Sequence, residues 1–442
     1  MESIKDYKII SEIFRGNRTV VFRGENLQDK KPVIVKTLQD KYLTPEDFDK
    51  LKREYEITKD LELEGIVRPY GLQKHDNGLL LILEDFGGMS LKKIINTHGV
   101  ELDEFFNISL QIVETLAELH KSHIIHKDIK PSNIIFNQNT GLVKITDFGI
   151  STILSREYQK TINPDKLEGS LFYMSPEQTG RMNRAIDYRT DFYSLGVTFY
   201  EMLTGRLPFQ AEDPMEWIHC HIAKTPVPPH KIKTEIPEVV SRIIMKMLLK
   251  TVEDRYQSAY GIKSDLEWCR HQLQENKTVE NFIPGKNDRS ATLLIPQRLY
   301  GRETEIEMFM HALDRINGGN AEMMLVSGYS GIGKSSLVCE IHKPMVRLRG
   351  YFVTGKFDQF LRNIPYASMI QAFQELVRQL LTESKERISV WKEKLLSVLG
   401  PNGQVVIDVM PEVELIIGKQ PAIQELPSTE SQNHIKTVLR FS

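Results

Sequence analysis

Between residues 7 and 83, apolar and β-branched residues fall in short runs separated by Gly, Asn, Asp and Lys. The pattern predicts five strands, Tyr7–Phe14, Thr19–Arg23, Pro32–Thr37, Ile66–Gly71 and Leu79–Leu83. One helix interrupts them at roughly Pro45–Leu61, with Pro in its first turn and Phe48, Leu51, Tyr55 and Ile57 near helical spacing. From Ser90 to about His271 helical periodicity takes over. A β-rich block followed by an α-rich block predicts one bilobal α+β unit with a cleft between its lobes.

Residues 272–296 are polar, without sustained periodicity, and read as a linker. Beyond them the pattern predicts a helix at Glu303–Ile316, a strand at Glu322–Ser327, a helix at Lys334–His342 and a strand at Tyr351–Thr354. That alternation is the beginning of a parallel α/β unit. The expected organisation is a first domain at 1–271 (lobes at about 1–83 and 84–271), a linker, and a second domain at 297–442. There is no internal repeat and no low-complexity tract.

Charge removes some partners. With 57 Lys+Arg against 59 Asp+Glu the net charge is −2, so nothing global favours nucleic acid or an anionic membrane. Leu79–Leu83 soon meets Glu84 and Asp85, and no apolar run approaches the roughly 20 residues of a membrane span. Cys220, Cys269 and Cys339 are too few and too scattered for a disulfide framework or zinc module. The start lacks the apolar core of a signal peptide, so the expected location is cytoplasmic.

The richest stretch is His126-Lys127-Asp128-Ile129-Lys130-Pro131-Ser132-Asn133, followed by Asp147-Phe148-Gly149. Phosphoryl transfer asks a protein for alignment, metal and charge neutralisation rather than covalent help. Asp128 can orient and deprotonate an attacking hydroxyl, and Lys130 can neutralise the transferring group. Asn133 and Asp147 are hard oxygen ligands suited to Mg²⁺. Lys36, on the strand Val33-Ile34-Val35-Lys36, can hold the α/β-phosphates, and Glu54 can position it from the following helix.

This constellation resembles the eukaryotic-type protein kinases over residues 1 to about 271. The resemblance implies that Gly16 and Val21 line the ATP site, with Leu83 as gatekeeper and Glu84–Phe86 as the hinge that meets adenine. It implies a buried Glu177–Arg255 ion pair, and Asp191 as anchor of the catalytic loop. Asp128-Ile-Lys130-Pro and Ser170 imply serine/threonine specificity towards a protein substrate.

Two departures stand out. In Phe14-Arg15-Gly16-Asn17-Arg18-Thr19-Val20-Val21, Phe14 and Thr19 replace two glycines of the family's phosphate loop. Glycine lets backbone N–H groups approach phosphate, so ATP affinity is expected to be about ten- to hundredfold lower than with the full motif. Arg15 or Arg18 could supply a compensating phosphate contact, or both are solvated hairpin arginines. Second, Lys127 stands where many kinases carry an Arg that grips a phosphorylated activation segment, and a lysine is no bidentate clamp. Activity is therefore expected not to depend on phosphorylation of Ser151, Thr152, Ser155 or Thr161. If the loop departure disables the cleft, the alternative is a pseudokinase scaffold with the second unit as a nucleotide switch. Retention of Lys36, Glu54, Asp128, Asn133 and Asp147 argues against it.

In the second unit Gly328-Tyr-Ser-Gly331-Ile-Gly333-Lys334-Ser335 matches G-x-x-x-x-G-K-[ST], between an expected strand and helix. In that context Gly328, Gly331, Gly333 and Lys334 cradle nucleotide phosphates and Ser335 ligates Mg²⁺, giving a second ATP site. Leu299-Tyr300-Gly301-Arg302-Glu303 resembles the entry box of AAA-type ATPases. With Gly350–Tyr366 and Ser175–Gly205 it resembles multi-module signalling proteins in which a Ser/Thr kinase-like domain precedes an ATPase, a GAF domain and a histidine kinase. Signalling partners are implied. The second acidic strand end that such an ATPase needs has one candidate, Asp408 in Val405-Val406-Ile407-Asp408, and no histidine phosphoacceptor box follows. The expectation is a partial α/β P-loop domain, either part of a larger protein or a weak hydrolase. His219-Cys220-His221 is not expected to chelate metal, because side chains two apart on a helix project in different directions.

Overall fold

The computed structural model describes residues 3–16, 18–39, 44–75, 78–153, 171–179, 185–275, 282–289, 301–329, 331–339, 350–355, 357, 366–381, 383 and 385–421. Strands β1 (Ser3–Ile4), β2 (Tyr7–Arg15), β3 (Thr19–Asn26), β4 (Pro32–Leu38), β5 (Pro69–His75) and β6 (Gly78–Glu84) form an antiparallel sheet in the order β1-β2-β3-β4-β6-β5. Two-residue alternation sorts its side chains by face. Val33 and Val35 pack with Tyr7, Leu80 and Ile82 on one face. Leu38, Leu79, Leu81 and Leu83 pack with Leu51 of helix α1 (Pro45–Thr58) on the other. Being covered on both faces, β6 is a continuous apolar run.

Helix α1 starts where Pro45 presets the first helical φ. The Asp47 carboxylate accepts from the Thr44 N–H at 3.2 Å and its hydroxyl at 2.7 Å, closing the helix start. Leu51, Glu54, Ile57 and Thr58 form its buried stripe, so Glu54 faces the sheet.

β5 begins three residues later than the pattern predicts. Ile66 and Val67 are buried, but their partner is Ile145: Ile66 bridges to it and the Val67 N–H donates to its carbonyl at 2.9 Å. Apolar content marks these two residues as structured without saying which strand they join.

The helical lobe contains β7 (Met89–Ser90), α2 (Leu91–Thr97), α3 (Leu102–Lys121), β8 (Ile134–Asn137), β9 (Leu142–Ile145), α4 (Arg189–Thr204), α5 (Pro214–Ala223), α6 (Glu238–Met247) and α7 (Ala259–Gln274). Helix α4 is buried along its whole length, with residues of α3, α6 and α7 in the same core. Gly196 lets α6 come close, since a Cβ there would lie 2.8 Å from the Met247 Cβ. The small sheet β7-β8-β9 carries residues 126–133 before β8 and Asp147 just after β9. Part of the expected linker is not free: residues 282–289 lie on the helical lobe, with Phe282 stacked on Trp268 at 5.0 Å between ring centres.

In the second unit α8 (Glu303–Asn317) and α9 (Lys334–Cys339) form where helices are expected. The strands expected at Glu322–Ser327 and Tyr351–Thr354 do not: among the described residues of 297–442 there is no strand. Met323 and Leu325 are 96% and 91% exposed. A parallel strand is held by ladders to its neighbours, and no neighbour is present among the described residues. Val405–Asp408 also differs from expectation, lying in the helix Gly403–Val409, with Asp408 exposed and accepting from the Gln404 amide at 2.8 Å. Asp408 is thus no acidic strand end. That helix joins Ala367–Leu380, Lys385–Leu399 and Glu414–Ile417 around Val377, Leu380, Leu399, Ile407 and Ile417.

Candidate active site

The cleft is assembled from both lobes. On β4, Lys36 shares a face with Leu38 and pairs across the strand with Val21 on one side and Leu81 on the other. Its ammonium therefore meets α1, donating to Glu54 Oε2 at 2.7 Å, and reaches Asp147 Oδ1 at 3.0 Å. Burial alone would lower the Lys36 pKa, but Asp147 and Glu54 outweigh it and hold the ammonium above the ordinary lysine range. Burial would likewise raise the Asp147 carboxyl, yet Lys36 and Lys130 hold it at about 2. Lys36 and Asp147 are both charged at neutral pH.

Asp147 adopts φ +69° and Lys127 φ +66°, left-handed conformations that non-glycine residues take only when the surroundings enforce them. Phe148 is that surrounding for Asp147: its buried ring lies edge-on to His126, 4.6 Å between centres. Asp191, at the start of α4, does the same for Lys127. Its two oxygens accept the Lys127 N–H at 2.8 Å and the His126 N–H at 3.0 Å, and His120 Nε2 lies 2.9 Å away. His126 Nδ1 accepts the Asp128 N–H at 3.2 Å, so its proton sits on Nε2, facing the Thr146 carbonyl at 3.2 Å. Burial lowers the His126 pKa, consistent with this neutral tautomer.

Within the loop, Lys130 Nζ lies 2.5 Å from Asp128 Oδ2, and the Asn133 amide donates to the same oxygen at 3.0 Å and to the Asp128 carbonyl at 2.9 Å. These donors fix the rotation of the Asp128 carboxylate. With its amide nitrogen committed, Asn133 presents Oδ1 as its oxygen donor. Among the described residues no cluster of three or more His, Cys, Asp or Glu side chains is placed to hold a metal. Asn133 and ionised Asp147 nevertheless fit Mg²⁺, which takes few protein oxygens and fills its shell with phosphate and water.

At the back of the lobe, Arg255 grips Glu177 bidentately at 2.7 and 2.8 Å, with both side chains essentially inaccessible. Thr190 donates to the same carboxylate at 2.8 Å, and Gln178 reaches the Lys127 carbonyl at 2.8 Å. Between the lobes at residues 84–86, the Glu84 carboxylate pairs with Lys144 at 2.7 and 2.9 Å, Asp85 pairs with Arg23 at 2.6 Å, and the Phe86 carbonyl accepts from Asn137 at 2.5 Å. Lys144, Arg23 and Asn137 carry no local motif and were not among the expected residues. The glycine-poor loop is a tight hairpin: the Gly16 N–H donates to the Thr19 carbonyl at 2.9 Å, and the Phe14 ring covers Gly16 so closely that a Cβ would lie 2.9 Å from it. Arg15 pairs with Glu12 and Arg18 with Asp47, so both have carboxylate partners inside the protein. Ser170, Ser155 and Thr161 lie outside the described residues. Ser151 is buried, donating to the His126 carbonyl at 3.0 Å.

In the second unit Lys334 Nζ folds over its own loop, 2.8 Å from the carbonyls of both Gly328 and Tyr329. Gly331 and Gly333 have φ +83° and +89°, which glycine adopts without strain. Ser335 is exposed at the start of α9. The His219-Cys220-His221 run is on α5, where buried His221 Nδ1 meets the Tyr193 hydroxyl at 3.0 Å and burial lowers the imidazole to about 3.

Residues 7–266, more than half of the chain, match the protein kinase domain. The chain belongs to the protein kinase family. Residues 298–441 match an AAA ATPase domain. The kinase unit is 34% identical over 262 residues to a "probable serine/threonine-protein kinase" of Clostridium acetobutylicum, covering 59% of this chain and 39% of that protein. It is 31% identical over 290 residues to the serine/threonine-protein kinase PrkC of Bacillus subtilis (63% and 44%). A hybrid signal transduction histidine kinase of Dictyostelium discoideum is 32% identical over 424 residues, 76% of this chain and 12% of that protein. The chain thus spans an eighth to less than half of these relatives. No helix among the described residues is long and apolar enough to cross a membrane.

Proposed function

We propose that this chain is a serine/threonine protein kinase that transfers the γ-phosphoryl of ATP to protein hydroxyls. The observation that carries the reading is the assembled Lys36–Glu54–Asp147 cluster facing an Asp128 carboxylate oriented by Lys130 and Asn133. Each residue has a task that its geometry supports. Lys36, held by Glu54, positions phosphate. Asp128 orients the acceptor hydroxyl and takes its proton, and Lys130 stabilises charge on the transferring group. Asn133 and Asp147 would hold Mg²⁺, which when bound would neutralise charge on the phosphates. Val21, Leu83 and the Glu84–Phe86 hinge would enclose adenine. Gly16 belongs to the hairpin over the phosphates, while Glu177, Arg255 and Asp191 keep the loop in place. Serine/threonine specificity draws on Asp128-Ile-Lys130-Pro and on the named relatives.

The second unit is proposed to bind ATP and Mg²⁺ through Gly328, Gly331, Gly333, Lys334 and Ser335, in a cytoplasmic signalling protein whose domains fall near 1–271 and 297–442. Radiolabelled phosphate transfer by the wild type, Asp128→Ala and Lys334→Ala tests the reading. Asp128→Ala should lose about 10²–10⁴-fold in rate while binding a fluorescent ATP analogue normally, and Lys334→Ala should retain transfer. Wild-type transfer rates in Asp128→Ala would refute the assignment.

A further inference from the structure

Beyond α7 the chain turns back onto the helical lobe. Phe282 stacks on Trp268, and its carbonyl accepts from the Arg242 guanidinium at 3.2 Å. Gly285, at φ +77°, donates its N–H to Asp265 at 2.6 Å. The Asp288 carboxylate then seats at the start of α7, accepting the Ser258 hydroxyl at 2.7 Å and the Gln257 N–H at 2.5 Å. The helix is shaped for this guest. A Cβ at Gly261 would lie 2.3 Å from the Asp288 carboxylate, so any larger residue forces that side chain to shift.

Gln257, which Asp288 holds, has every polar group engaged. Its side-chain oxygen accepts from Arg189 at 2.6 Å, and its amide donates to the Arg255 carbonyl at 2.8 Å and to those of Val252 and Glu253 at 3.1 Å. Its own carbonyl accepts the Tyr188 hydroxyl at 2.7 Å. Arg255 in turn clamps Glu177, whose neighbour Gln178 hydrogen-bonds the Lys127 carbonyl next to Asp128. A chain of direct contacts runs from Asp288 to the catalytic loop.

We propose that residues 282–289 are a strap of the kinase unit, and that Asp288 is a positioning residue. It acts through Gln257 to hold segment 175–179 against the catalytic loop, so that affinity for the protein substrate depends on a segment leading into the P-loop unit. This rests on the kinase reading for its effect on catalysis, but not for its effect on structure.

Two readouts on the full chain separate the parts. Hydrogen exchange of the wild type, Asp288→Ala and Gly261→Ala follows peptides spanning 171–179, 187–191 and 255–261. Both variants should lose protection in all three, and loss confined to 282–289 would overturn the strap's role. Gly261→Ala guards against a trivial result, because it shifts the carboxylate while improving the intrinsic helix preference of α7. In steady-state phosphorylation of myelin basic protein, both variants should raise the protein-substrate KM about five- to tenfold, the equivalent of roughly one ordinary hydrogen bond. Their kcat and ATP KM should stay within about twofold on the same grounds, and Asp288→Asn, keeping one acceptor, should fall between. Unchanged substrate KM in both would overturn the proposal. An inactive wild type would refute the kinase reading instead, leaving the exchange experiment to decide the strap.

Discussion

Replacing Arg255 by methionine tests how the helical lobe supports the catalytic loop. The guanidinium makes two bonds to Glu177 and further bonds to the carbonyls of Leu249 at 2.6 Å, Lys250 at 3.2 Å and Arg189 at 3.3 Å. Methionine fills much of the volume but leaves a carboxylate with 1% side-chain exposure and no counter-charge. Breaking a buried pair on one side costs about 3–5 kcal/mol. In a unit of this size that corresponds to a fall of roughly 6–20 °C in the unfolding midpoint. The pH dependence distinguishes a lost charge partner from lost packing. In the wild type, burial would raise the Glu177 carboxyl but Arg255 holds it below the usual range, so its contribution is present above the unfolded pKa and fades in acid. In Arg255→Met the same carboxyl is raised, the native state binds the extra proton, and the deficit should be smaller at pH 5 than at pH 8. Urea titrations at both pH values, read by amide exchange in α4 peptides, measure this. A deficit below about 1 kcal/mol, or one that does not change with pH, would refute the reasoning. Arg255→Met combined with Glu177→Met should be less destabilised than Arg255→Met alone.

Three further outcomes are expected. Replacing Thr152, Ser155 and Thr161 together by alanine, with Ser151 kept because its buried hydroxyl holds the His126 carbonyl, should leave phosphoryl transfer within about threefold, since Lys127 offers no bidentate phosphate clamp; complete loss with folding intact by circular dichroism would contradict this. Gly196→Ala should destabilise the kinase unit by about 1–3 kcal/mol through overpacking against Met247, despite alanine's helix preference of about 1 kcal/mol, and a thermal melt that rises would refute the close-approach argument. Lys250 is held down at about 7 by burial and by the Arg255 charge, so between pH 7 and 10 the unfolded chain binds more protons and stability should rise with pH through this group, by at most about 1.4 kcal/mol per pH unit. Lys250→Met should flatten that rise in calorimetric scans.

The cleft was legible in sequence because local patterns place its residues. Alternation puts Lys36 on the face of β4 that α1 covers, and the spacing Leu51, Glu54, Thr58 turns Glu54 toward it. Proline and threonine mark the start of α1, and the catalytic-loop residues are close enough in sequence to act together wherever they fold. What was not legible depends on distant partners. Lys144 and Asn137 meet the hinge only because β8 and β9 pass beneath it, and nothing in their immediate sequence says so. Ile66 reads as a strand residue of the first sheet until Ile145 competes for it. Polar residues 282–289 look like a linker because their ordering comes from α6 and α7, and an isolated Asp or Gly carries no such signal.

Charge accounts for the division of labour in the cleft. Lys36 and Lys130 face three acidic side chains, Glu54, Asp128 and Asp147, and burial raises the Glu54 pKa, so the cluster carries no net positive charge. By itself it is a poor host for a polyphosphate, and the hairpin above adds little, since Arg15 and Arg18 are already matched to Glu12 and Asp47. Favourable binding of ATP must therefore bring positive charge with it, and the oxygens of Asn133 and Asp147 are where a hard cation is best received. The lysines then have a different task from bulk attraction: each is locked to a carboxylate at 2.5–2.7 Å, so its charge is fixed in position before the phosphate arrives. Preorganised charge costs no reorganisation in the transition state, whereas a free lysine would first have to be ordered. A near-neutral chain can thus do phosphoryl chemistry with few cations, provided each is held by an acid that cannot move away.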